Sequence, residues 1–211
     1  MAVKTTMMIA VPSAVGLAVL AKPITWLLFP QQETLDKAAF LLMGLAVTVI
    51  LFSLSTLSSS ILQGIGKVNA PIYNAAISLG VQTVTLMGLL LLTDMDLYAL
   101  VIANIVYSGL MCILNQWSVR KAIDYRQEMI KTFVIPLLAA GFMGALAWVV
   151  YDVLYYFTAS TIIALIPAIF LAVCVYFVLL IVLRGVNERE LRSIPKGHLL
   201  VKLAKKCRLM P

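Results

Sequence analysis

Six long apolar runs follow one another along this chain, and they constrain its fold more than any motif does. Each run can cross a ~30 Å hydrocarbon layer as a helix, which takes about 20 residues at 1.5 Å per residue. The runs cover residues 7–28, 38–62, 68–92, 97–117, 133–156 and 159–183. An apolar fraction of 63% with a charged fraction of 12% is far outside the range of soluble domains. We therefore predict an all-α fold, a polytopic bundle of six transmembrane helices.

The basic residues lie almost entirely on one side of these runs. When the gaps between runs are numbered as alternating sides, fourteen of the sixteen Lys and Arg fall on the side that holds both termini. The other two are Lys22 and Lys37. Cytoplasmic loops carry the excess of basic residues in membrane proteins. We expect both termini to be cytoplasmic and the protein to be a multi-pass protein of the plasma membrane.

The net charge of +7 is concentrated in the last part of the chain. From residue 184 onward there are eight bases and two acids, interleaved with leucines. A basic amphipathic segment of this kind is expected to lie on the inner leaflet, where anionic lipid attracts each base by about 1 kcal/mol. We expect the lipid bilayer and its anionic lipids as partners, and no nucleic acid.

The predicted helices lack the residue types of an active site. All nine acids lie at or beyond the helix ends, and the lone His198 lies in the tail. The three cysteines show neither paired nor metal-like spacing. The turn at residues 64–67 lacks the glycine spacing of a phosphate-binding loop. We expect no enzymatic activity, no catalytic residue, no cofactor and no metal site.

A stripe of polar residues ends the second run. Thr56, Ser59, Ser60 and Gln63 have the i, i+3, i+4, i+7 spacing of one helical face. Two interpretations stay open: packing through interhelical hydrogen bonds worth about 0.6 kcal/mol each, or the hydrophilic wall of a translocation path. The candidate cavity-lining residues are Thr56, Ser59, Gln63 and, in the third helix, Asn74.

The first run contains two prolines and a lysine. Pro12 and Pro23 each remove one backbone hydrogen bond, so a kink or break is expected there. Lys22 is the one base inside an apolar run. Two roles are open for it: its ammonium reaches the outer headgroups, or it contacts an anionic substrate. Lys22 is therefore a candidate phosphate contact.

Three segments, in this order and spacing, resemble the polysaccharide-transporter and stage V sporulation protein B branch of the MOP flippase superfamily, which is related to the lipid II flippases. The first segment is residues 12–29, with its Pro-Ser-Ala-Val-Gly-Leu start and its Ala-Lys-Pro-Ile centre. The second is Leu-Gln-Gly-Ile-Gly-Lys at residues 62–67, with Pro71 and Asn74 following. The third is residues 190–197. The resemblance covers nearly the whole chain.

This resemblance implies a fourteen-helix MATE/MOP-like fold, of which the six helices match the ninth to the fourteenth. We expect four parts: residues 1–117, the four-helix part of the transporter's second lobe; 118–132, a cytoplasmic amphipathic linker; 133–186, two C-terminal helices; and 187–211, the basic tail. The resemblance also implies a function.

By resemblance, the chain is the C-terminal portion of a flippase in a bacterial plasma membrane. The expected substrate is a polyprenyl-diphosphate-linked saccharide, a lipid-linked oligosaccharide or peptidoglycan precursor used in polysaccharide or cell-wall biosynthesis. Two alternatives remain open: part of a multidrug antiporter of the same superfamily, or a non-transporting membrane scaffold.

Overall fold

A computed structural model describes residues 2–29, 35–93, 95–123 and 130–183. The regular structure in these ranges is helical throughout. Its elements are α1 (Ala2–Val19), α2 (Ala21–Leu28), α3 (Leu35–Gly64), α4 (Asn69–Leu92), α5 (Leu97–Ile123), a π-helical turn (Ile130–Val134), α6 (Ile135–Thr158) and α7 (Thr161–Val182). The predicted basic tail and the middle of the predicted linker lie outside the described residues.

Within the described residues, five helices are long and apolar enough to cross a membrane. They are α3, α4, α5, α6 with the end of the π-helical turn, and α7. A sixth candidate is broken into α1 and α2, so the predicted number of six holds when this pair is counted as one span. The prediction of an all-helical, multi-pass membrane protein is confirmed. The cytoplasmic termini, the fourteen-helix context and the four-part division stay predictions.

Two of the differences between the observed and predicted helix boundaries have a local reason. α1 ends at Val19, four residues before Pro23. Pro23 has no N–H to bond the Val19 carbonyl, and its ring crowds that carbonyl. The break expected in this run is thus confirmed beside Pro23, whereas α1 runs through Pro12 without one. α5 continues past the predicted end at residue 117 to Ile123, with Arg120 in its last turn, where basic residues complement the helix dipole.

The chain forms two compact units, and the first is discontinuous in sequence. Unit 1 contains α1, the π-helical turn, α6 and α7. The close approach of α6 to α1 depends on Gly144, since a Cβ there would lie 2.7 Å from Cγ1 of Val15 and 3.1 Å from Cγ2 of Val19. Ala140, one turn earlier, is fully buried. Small residues at this spacing allow helix backbones to pack closely in membranes.

A buried hydrogen bond also joins α7 to α1 within unit 1. The carbonyl of Met8 lacks its usual helical donor, because that donor would be the N–H of Pro12. The Tyr176 hydroxyl donates to this oxygen over 2.8 Å, and the tyrosine is only 2% exposed. The proline therefore stays inside the helix with its freed carbonyl satisfied.

Unit 2 contains α2, α3, α4 and α5 and is continuous in sequence. α5 packs on both α3 and α4, which have little contact with each other. The α3–α5 approach is closest at Gly44, where a Cβ would lie 2.6 Å from Cγ1 of Val101. α5 is therefore the central helix of this unit, and its polar residues can reach both neighbours.

Candidate functional site

The most polar region inside unit 2 is centred on Asn115 of α5, whose side chain is fully buried. Its Nδ2 donates to Oγ of Ser55 and Oγ of Ser59 on α3, each over 2.9 Å. Its Oδ1 accepts a hydrogen bond of 2.9 Å from Nδ2 of Asn74 on α4. A single amide thus links the three helices.

Two further hydrogen bonds flank this centre. Asn74 Nδ2 also donates to Ser118 Oγ over 3.1 Å. Gln116 Nε2 donates to Ser58 Oγ over 3.1 Å. We refer to these seven residues as the amide–hydroxyl cluster: Ser55, Ser58, Ser59, Asn74, Asn115, Gln116 and Ser118.

The residue types of the amide–hydroxyl cluster suit a role in helix packing. Amides and hydroxyls buried from water need partners, and in these helices every buried polar side-chain atom of the described residues has one. None of the seven side chains is ionisable in the ordinary pH range. Nor do His, Cys, Asp or Glu gather in threes that could hold a metal ion anywhere in the described part of the chain. The cluster holds helices in register and supplies no acid, base or metal ligand.

The structure separates the predicted lining residues into two groups. Ser59 and Asn74 are half-buried members of the amide–hydroxyl cluster. Thr56 and Gln63 are exposed on a neighbouring face of α3 together with Ser60, whose Oγ donates to the Thr56 carbonyl over 3.0 Å. We refer to Thr56, Ser60 and Gln63 as the exposed polar stripe. Interhelical packing therefore accounts for Ser59, and cavity lining by the four candidates stays a prediction.

Sequence reasoning missed most of the cluster. Ser55 and Ser58 occupy the buried face of α3 with Leu62, at i, i+3 and i+7, which is as regular a spacing as that of the predicted stripe. The distinguishing signal is in α5, where two amides, Asn115 and Gln116, lie two turns before the helix end. Buried amides in an apolar helix require facing donors or acceptors, and α3 and α4 provide them at the same depth.

Lys22 forms an ion pair at the start of unit 2. Its Nζ lies 3.0 Å from Oδ1 of Asp36, and the two side chains are 66% and 83% exposed. An ion pair this exposed contributes at most about 1 kcal/mol. The ammonium can therefore exchange this carboxylate for another anion, and its predicted phosphate contact stays a prediction.

Comparison with known protein families gives a match over most of the chain. A family model described as lipid II flippase MurJ matches residues 1–183, a range that includes the seven α-helices of the described residues. No curated protein and no solved structure shows a significant match to the chain.

Proposed function

The chain belongs to the lipid II flippase MurJ family, whose model matches residues 1–183, and from this we propose that it takes part in moving lipid-linked saccharides across a bacterial plasma membrane. The proposed substrate class is a polyprenyl-diphosphate-linked oligosaccharide or peptidoglycan precursor, used in polysaccharide or cell-wall biosynthesis. The family match is the observation that carries this proposal. The activity we propose is transport without covalent chemistry, in contact with anionic lipids and without nucleic acid.

The exposed polar stripe supports a path for a polar headgroup. Thr56, Ser60 and Gln63 are exposed on the surface of unit 2, and the rest of the surface of their helix, α3, is mainly apolar. Polar side chains in membrane helices usually face the bundle interior or a water-filled cavity, because hydrocarbon offers them no partners. Hydroxyl and amide groups can exchange hydrogen bonds with a saccharide without holding it by charge. We assign the stripe to the wall along which the saccharide passes.

The remaining candidates have supporting roles in this proposal. Ser59 and Asn74 belong to the amide–hydroxyl cluster beside the stripe, where Ser59 holds α3 against α5 and Asn74 holds α4 against α5. Lys22 offers an exposed ammonium that can exchange Asp36 for a phosphate of the substrate. A diphosphate carries more charge than one carboxylate, which favours this exchange.

Reconstitution tests the proposal. The chain is inserted into liposomes with a fluorescent polyprenyl-diphosphate-linked sugar, and the appearance of the label in the opposite leaflet is timed against protein-free liposomes. A triple variant, Thr56→Val, Ser60→Ala and Gln63→Leu, should slow this movement at least about tenfold, since each lost hydrogen bond is worth about 0.5–1.5 kcal/mol. Thr83→Val is the matched control, because Thr83 is an exposed hydroxyl on α4 away from the stripe.

Each outcome of this experiment selects one interpretation. A rate equal to that of protein-free liposomes, from chain that is inserted and helical, would favour a scaffold. Movement of a cationic drug in place of the labelled sugar would favour a multidrug antiporter. Unchanged movement in the triple variant would contradict the role of the stripe while leaving the flippase proposal intact.

A further inference from the structure

The two ends of unit 2 differ in charge. At one end α3 finishes, α4 begins and α5 finishes, and this end presents Lys67, Arg120 and Lys121, all exposed. Among the described residues no acid lies at this end. We refer to it as the basic end. The opposite end mixes both signs, with Lys22, Asp36, Lys37 and Asp96.

The amide–hydroxyl cluster fixes the relative heights of the three bases. The bond from Asn74 to Ser118 sets the first turns of α4 beside the last turns of α5. At 1.5 Å per residue, Arg120 and Lys121 lie about 3–5 Å beyond this bond along the axis of α5, and Asn69, the first residue of α4, lies about 7–8 Å beyond it. Lys67 precedes Asn69 in the turn between α3 and α4, so all three bases lie at the same end of unit 2. A headgroup layer is about 5–8 Å thick on each side of the hydrocarbon.

Aromatic side chains mark the boundary of the apolar region at this end. Trp117 is 64% exposed, and Lys121 Nζ lies 5.6 Å from the centroid of its ring. Tyr73, next to Asn74 on α4, is also exposed. Tryptophan and tyrosine concentrate at the membrane–water interface, and a cation over an indole ring is attracted to its face. The ammonium of Lys121 is thus held at headgroup height.

We propose that the basic end binds the phosphate of an anionic phospholipid, with Arg120 and Lys121 contacting the phosphate and Trp117 beside the glycerol. Arg120 and Lys121 follow Trp117 by three and four residues, so the three side chains share one face of α5. Lys67, in the turn between α3 and α4, adds positive charge at the same end. Phosphate is the shared chemistry of a lipid headgroup and the free ion. The lipid is the occupant we infer, because exposed apolar surface lies on the bilayer side of the bases: Ile113, one turn before Trp117 on the same face of α5, is 65% exposed and can be covered by acyl chains. This site is separate from the exposed polar stripe and independent of the transported substrate.

Quenching of Trp117 fluorescence by brominated lipids tests the site. Trp26→Phe and Trp148→Phe leave Trp117 as the single tryptophan, and both replaced residues are exposed. The full chain is placed in phosphatidylcholine vesicles that contain either brominated phosphatidylglycerol or brominated phosphatidylcholine at equal mole fraction. We expect the anionic lipid to quench more strongly.

Charge variants show whether the bases cause this preference. Arg120→Gln and Lys121→Gln should each lower the relative affinity for phosphatidylglycerol about fivefold. Lys121→Arg should retain the preference, and Lys37→Gln at the opposite end is the matched control. Helix content measured by circular dichroism checks that each variant is folded. The ratio of the two quenching values cancels direct effects of Lys121 on the indole.

Three results would overturn the proposal. The first is equal quenching by the two lipids in the otherwise unaltered chain. The second is a preference that persists in the double variant of Arg120 and Lys121. The third is loss of the preference when inorganic phosphate is added at constant ionic strength, which would identify a site for the free anion.

Discussion

The bond from Tyr176 to the Met8 carbonyl gives a sharp test of how this chain keeps a proline inside a membrane helix. Tyr176→Phe removes one hydroxyl and keeps the ring that fills the same buried space. The Met8 oxygen then loses its donor, because Pro12 has no N–H to replace it. The variant therefore isolates the hydrogen bond from the packing.

The expected cost follows from the burial of both partners. A buried acceptor left unsatisfied costs about 1–3 kcal/mol, whereas hydrogen bonds between membrane helices average about 0.6 and reach about 1.7 kcal/mol. Since the Met8 oxygen has no helical donor to fall back on, we expect a value near the upper membrane figure, about 1.5 kcal/mol. In a Pro12→Ala background the amide of residue 12 can bond this oxygen. There the same tyrosine substitution should cost less than about 0.5 kcal/mol.

The free energy of unfolding is measured by titrating the chain in mild detergent with a denaturing detergent and following the loss of helix by circular dichroism. All four members of the cycle are compared: the unaltered chain, each single variant and the double variant. Tyr156→Phe is the matched control, because this tyrosine is 85% exposed and its hydroxyl is not enclosed by the bundle. Equal costs of Tyr176→Phe with and without Pro12 would refute the reasoning, since the two residues would then be uncoupled.

The same unfolding titration checks three other expectations. Asn115→Ala should cost about 2 kcal/mol, because three interhelical contacts of the cluster are lost at about 0.6 kcal/mol each. Gly144→Ala should lower the free energy of unfolding by about 1–3 kcal/mol, because the added methyl overpacks against Val15. Gly141→Ala should not lower it, because a Cβ there meets nothing within 4 Å. Equal effects of the two substitutions would contradict this account. Lys22→Gln should change stability by less than about 1 kcal/mol, and its effect on transport is measured in the liposome assay.

The spans were predictable because each is a run of apolar residues bounded by charges or turns. The sequence-based boundaries of the third helix, residues 68–92, differ from α4 (Asn69–Leu92) by one residue. The face that α3 buries was not predictable in the same way. Hydroxyl residues occupy both of its sides between Ser53 and Ser60, so periodicity favours neither. The choice is made by Asn115, which lies 60 residues beyond Ser55.

The behaviour of the two prolines in the first run shows the same limit. Both Pro12 and Pro23 remove a hydrogen bond, and sequence alone treats them equally. Of the two carbonyls that these prolines free, only that of Met8 accepts a hydrogen bond from a side chain among the described residues. The donor, Tyr176, lies 168 residues away in the sequence. The predicted lining role of the exposed polar stripe likewise depends on what faces α3 in the folded protein. The sequence of one helix does not show this.

The discontinuity of unit 1 has a consequence for biosynthesis. Unit 2 is one uninterrupted segment, so its helices can associate as soon as α5 has entered the bilayer. α1 precedes unit 2 in the sequence, whereas its partners α6 and α7 follow unit 2 and are synthesised after it. Throughout that interval the Met8 carbonyl lies in a helix without its eventual donor. α1 therefore meets its native neighbours only after the whole of unit 2 has been synthesised, and slow insertion of α7 would prolong its exposure to misassembly and proteolysis.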